Sequence, residues 1–136
     1  MARVLVAVAS VLAVIAIAGC GTSGDRSDAE AVVGRFYDAV GRHDGEAACA
    51  ELGDATVSAL ESQSGQSCRS VVTRLDVGSG SIEDAQIAAT SARVELRGGV
   101  SAFLDREPAG WRITAVGCRA QDGPPTEHPM ECEAEA

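Results

Sequence analysis

The stretch "YDAVGRHD" brings Tyr37, Asp38, His43 and Asp44 close together along the chain. A histidine beside a carboxylate can take up and release a proton at neutral pH, so His43 with Asp38 is the nearest approach in this sequence to a general acid–base pair. The same residues also have plain structural uses. Tyr37 falls on an apolar helical stripe, Asp38 lies on its wet side, and Asp44 stands where a following helix needs a cap. His43 then faces solvent, and Arg35 and Arg42 serve as solvated partners of nearby acids. No phosphate-binding glycine loop, dinucleotide fingerprint, G-x-S-x-G or H-E-x-x-H motif occurs. We therefore assign no catalytic residue and expect no cofactor.

The other residues able to do chemistry are five cysteines, Cys20, Cys49, Cys68, Cys118 and Cys132. Cys20 closes an apolar run from Val4 to Gly19 that follows a positive start at Arg3, the layout of a signal peptide. The run is shorter than the roughly 20 residues a spanning helix needs, and no basic stop follows it. Its last residues, Ile17-Ala18-Gly19-Cys20, resemble the bacterial lipoprotein box. That resemblance implies a diacylglyceryl group on the Cys20 thiol, cleavage just before it, and Cys20 as the new N-terminus. Several acyl chains hold a protein at a membrane better than one, since each buried methylene adds ~0.8 kcal/mol. Ordinary signal cleavage with Cys20 as a bare thiol is the alternative.

With Cys20 lipidated, Cys49, Cys68, Cys118 and Cys132 remain, an even number in an exported chain, which points to disulfides. Of the three connectivities that four cysteines allow, we expect Cys49–Cys68 and Cys118–Cys132, each contributing ~3 kcal/mol in the chain-entropy model. A zinc site using these cysteines with His43 and His128 is the sharper alternative, but the spacings are long and no C-x-x-C pair exists. We expect no metal.

These residues need elements to hold them. The expected organisation is a signal peptide over 1–19, a tether over 20–27, an α+β domain over 28–119, and an acidic tail over 120–136 pinned by Cys132. Ser27-Asp28-Ala29-Glu30 matches a capping box and should start a helix. Val32, Val33, Phe36, Tyr37 and Val40 form its apolar stripe, and Gly41 its left-handed stop. Asp44 and Asp54 should cap two short helices, and Cys68, Val71, Val72 and Leu75 repeat at helical spacing in a fourth. After "GSGS" the period becomes two. Ala85/Ile87/Ala89, Ala92/Val94/Leu96, Val100/Ala102/Leu104 and Trp111/Ile113/Ala115 predict a four-stranded antiparallel meander. Trp111 is expected in the core. Phe103 and Val116 should share the opposite sheet face, covered by the tail or by a partner.

The formal net charge is −9, and one unit more negative without Arg3. That field repels phosphate backbones and anionic headgroups, excluding nucleic acid and adsorption through a basic patch.

The order of "VVGRFYDAVGRHDGEAAC", short helices and a meander ending "GWRITAVGC" resembles small exported proteins with a nuclear transport factor 2-like, cone-shaped α+β domain, over roughly Asp28 to Arg119. Enzymes of that superfamily place Asp, His or Tyr inside the cone. Here the inward positions read Ile87, Val94, Leu104 and Ile113. The resemblance implies a lipid-anchored protein on the extracytoplasmic face of the cell membrane, binding an envelope protein or a small hydrophobic ligand. A small cyclase- or isomerase-like enzyme is the alternative, and its activity would depend on His43 and Asp38.

Overall fold

A computed structural model describes residues 22–123 and 130–136. The expected signal peptide, the lipobox and Cys20 lie outside the described residues, as do 124–129 with His128. Helices come first: α1 (Thr22–Gly41), α2 (Gly45–Ala50), α3 (Asp54–Ser64) and α4 (Cys68–Val71), the last running on as a 3-10 turn over Val72–Arg74. The strands follow: β1 (Ile82–Ala88), β2 (Ser91–Leu96), β3 (Val100–Glu107), β4 (Gly110–Arg119) and β5 (Ala134–Glu135). All pair antiparallel in chain order. The α+β class stands, with five strands rather than four, because the tail comes back along β4.

The first helix begins at Thr22, so Thr22 to Ser27 is helical rather than a tether, and Ser27 sits inside the helix instead of capping it. This extension carries no large apolar side chain. Charge pairs dock it on the sheet: Asp25 binds Arg106 of β3, and Arg26 binds both Asp84 of β1 and Glu30 one turn on. Further along, Val33 and Phe36 are fully buried, and Phe36 meets the Tyr37 ring edge-on at 5.4 Å. The left-handed residue after the helix is not Gly41 but His43, with φ 57.

Asp44 caps α2 as expected, its carboxylate accepting from Ala47 N at 3.0 Å. Asp54 does not cap α3. Gly53 holds that position while its N–H donates to Ile113 O, and Ile113 N donates back to Glu51 O. The connector between α2 and α3 thus pairs with the first half of β4, and the tail with its second half.

The inner face of the sheet buries Val94, Leu96, Ala102, Leu104 and Ile113 under the helices, whereas Ile87 on edge strand β1 is only half-buried. Strict alternation along β4 would put Ala115 inside and Val116 outside. The structure reverses them. Leu104 pairs with Ile113 but Phe103 with Ala115, so Thr114 is an extra residue in a β-bulge. Ala115 therefore shares the outer face with Phe103, and Val116 enters the core cluster at 0 % exposure. Gly117, at φ 68, takes a second irregularity before Cys118 pairs with Ser101.

Candidate functional site

The four residues of "YDAVGRHD" do not assemble as an acid–base centre. Tyr37 is buried, its hydroxyl donates to Val77 O at 2.6 Å, and burial pushes its pKa up to about 12. Asp38 is exposed. His43 is exposed in the left-handed turn, and Asp44 is occupied as a cap. Arg35 makes a two-pronged bond to Glu51, at 2.8 and 3.0 Å, and this hydrogen bonding raises the guanidinium pKa against a smaller opposing effect of desolvation. Tyr37, Asp44 and Arg35 thus do local structural tasks, while Asp38 and His43 are exposed.

Both expected disulfides are present. Cys49–Cys68 ties α2 to α4, and Cys118–Cys132 ties β4 to the returning tail. Among the described residues no group of His, Cys, Asp and Glu is placed to hold a metal ion.

What tertiary structure does assemble lies around Trp111. This residue opens β4 opposite Arg106, and its ring is packed down to 4 % exposure. The Arg106 guanidinium stacks over the indole, 4.9 Å from its centroid, while also binding Asp25. Trp111 Nε1 is the one buried side-chain polar atom among the described residues with no hydrogen-bond partner. Leaving such a donor unpaired costs ~1–3 kcal/mol.

Beside the indole lies an open cleft of about 200 Å³ between α1 and the start of β4. Asp28, Ala31, Val32 and Arg35 line it from the helix, and Ala109, Gly110, Trp111 and Arg112 from the turn and strand. Arg35 is neutralised by Glu51. Neither Asp28 nor Arg112 forms an ion pair with another described residue. The cleft therefore carries the Asp28 carboxylate near a buried donor, whereas Arg112, between the inward-facing Trp111 and Ile113 and in register with Asp105, belongs to the outer face of the sheet.

A broader depression lies on the outer face of the sheet. Phe103, Thr114 and Ala115 form its floor, and Met130, Cys132 and Ala136 of the tail line it with them. Arg93 stacks on Phe103 at 5.9 Å and reaches Ser101 at 3.3 Å. The tail pairs along β4 at the side of this face and leaves Phe103 half-buried.

The chain matches no protein-family model, no curated protein and no solved structure. Of the cleft residues, only Trp111 stood out in the sequence, as the sole tryptophan. Asp28 was read only as part of a capping box and Arg35 as a surface cation. Nothing in their spacing joins them to Arg112, which lies far along the chain on another element.

Proposed function

We propose that this protein is a lipid-anchored lipoprotein of the extracytoplasmic face of the cell membrane, with a nuclear transport factor 2-like domain acting as a binding module of the envelope. One observation carries it. The two disulfides use Cys49, Cys68, Cys118 and Cys132, as an oxidising compartment allows. Cys20, at the end of a lipobox-like sequence, is left for the lipid. Helices followed by an antiparallel sheet are what a nuclear transport factor 2-like domain requires, and this supports the likeness at the level of secondary-structure order. The binding role is supported by the Trp111 cleft, and the half-buried Phe103 face offers a surface to an envelope protein. Because the charged side chains of Asp28 and Arg35 line the cleft from α1, a small ligand there should be polar rather than hydrophobic.

Mass spectrometry of the chain extracted from the bacterial membrane in detergent tests this. A mass beginning at Cys20 with added acyl chains, and four thiols that react only after reduction, is the expected result. An intact Met1, or a chain cleaved without lipid, overturns the anchor.

A further inference from the structure

We propose that the Cys118–Cys132 bridge is a redox clasp: a dithiol reduces it through Cys132, and the tail then leaves β4 while the rest of the fold stays in place. The two bridges sit in different surroundings. Cys68 belongs to the hydrophobic core cluster and Cys49 packs against it, so their bridge is part of the helix layer. The other bridge spans β4 and the tail at the margin of the sheet, and neither of its cysteines belongs to that cluster. Cys118 is shut away at 0 % exposure. Cys132 is half-buried and lines two open clefts, one with Gly117, Arg119 and Gln121 and the other with Phe103 and Ala115. An incoming thiolate therefore reaches this bridge from the Cys132 side.

The chemistry is thiol–disulfide exchange. A thiolate of the dithiol attacks Cys132 Sγ, forming a mixed disulfide and breaking the bond to Cys118. Cys118 Sγ leaves with the electron pair and takes up a proton. The second thiol of the reductant loses its proton and attacks the partner sulfur of the mixed disulfide, displacing Cys132 as a thiolate that is protonated in turn. The bridge gains two electrons and two protons, and the dithiol becomes a disulfide.

Little else holds the tail. β5 is two residues long, and Ala134 is the one buried side chain among residues 130–136. A strand this short does not hold by itself. Its ladder consists of the paired Arg119–Glu131 bonds and those from Glu133 N to Val116 O and from Ala136 N to Thr114 O, with Gln121 bound to the Glu131 side chain. Once the bridge opens, the entropy of the freed segment favours release. Release bares the second half of β4 and uncovers Ala115, which lies opposite Glu135 and beside Phe103. The redox state thus sets whether β4 ends in a covered or an open edge.

The full chain in detergent micelles, treated with graded dithiothreitol and then alkylated, tests the proposal. Peptide mapping reads each cysteine separately, so the state of Cys20 does not enter. Cys118 and Cys132 should be alkylated about tenfold faster than Cys49 and Cys68, as access to the bridge dictates. Hydrogen exchange on the same sample should show the Glu131, Glu133 and Ala136 amides open while α1 and β2 stay protected, and reoxidation should restore them. A limiting amount of glutathione, which cannot complete the second step by itself, should leave its adduct on Cys132 and a free thiol at Cys118. Reduction of both bridges together, reduction of Cys49–Cys68 first, tail amides that stay protected after selective reduction, or an adduct on Cys118 would each overturn the clasp.

Discussion

The Tyr37 hydroxyl donates to Val77 O, and burial outweighs the opposing pull of Arg119 to push its pKa from 10.0 to about 12. In the unfolded chain the hydroxyl loses its proton near pH 10, whereas the folded chain keeps it until about pH 12. Unfolding within that window releases a proton, so rising pH favours the unfolded state. The stabilisation is complete below pH 10 and is lost on approaching pH 12, at no more than ~1.4 kcal/mol per pH unit. Urea melts across this window should show the slope in the wild type and a flatter one in Tyr37→Phe. That variant should also be less stable by ~1 kcal/mol at neutral pH, having lost one buried hydrogen bond. Gly45 depends on steric fit instead. A Cβ there would stand 2.0 Å from Arg69 O, a backbone atom held in place beside the Cys49–Cys68 bridge. Gly45→Ala should cost ~1–3 kcal/mol in chemical denaturation, as overpacking does. His43 shows the opposite case: its φ of 57 suits glycine better than histidine. His43→Gly should leave stability unchanged or raise it by up to ~1 kcal/mol in the same assay.

The elements divide by what holds them. The middle of α1 was legible because Val32, Val33, Phe36 and Tyr37 repeat at helical spacing and bury the same face. Its first turn and a half was not legible, because Asp25 and Arg26 are held by Arg106 and Asp84, partners 81 and 58 residues away. Arg106→Gln should speed amide exchange in Arg26 to Asp28 while leaving Phe36 to Ala39 protected, which hydrogen-exchange mass spectrometry can resolve. The tail depends on one covalent link and a short ladder. Cys118 and Cys132 face each other between the Arg119–Glu131 bridge and the Val116–Ala134 pair. Replacing both by Ser should lower stability by ~3 kcal/mol on the chain-entropy model. It should also expose the Glu131, Glu133 and Ala136 amides, which donate to Arg119, Val116 and Thr114. Exchange in α1 should not change.

Across the whole molecule, the local rules settled more of the architecture than of the site. Apolar spacing of period 3.6 and then 2 announced helices followed by a meander, and an even set of cysteines announced two bridges. Both follow from neighbours in sequence or from counting, which need no knowledge of the packed state. The reversal of Ala115 and Val116 needed more, since a bulge arises only when β3 and β4 are paired and one strand must absorb an extra residue. The fifth strand likewise needed the tail to find the edge of β4, with a disulfide at the point of contact. The acid–base cluster that looked suggestive in one dimension dispersed, because a helix turns Tyr37 inward and leaves Asp38 outside. The Trp111 cleft formed from residues 28 to 112, whose shared wall exists only once α1 lies across the start of β4. Composition and periodicity act within a few residues of chain. A binding wall is made by side chains distant in sequence, and only folding brings them to the same place.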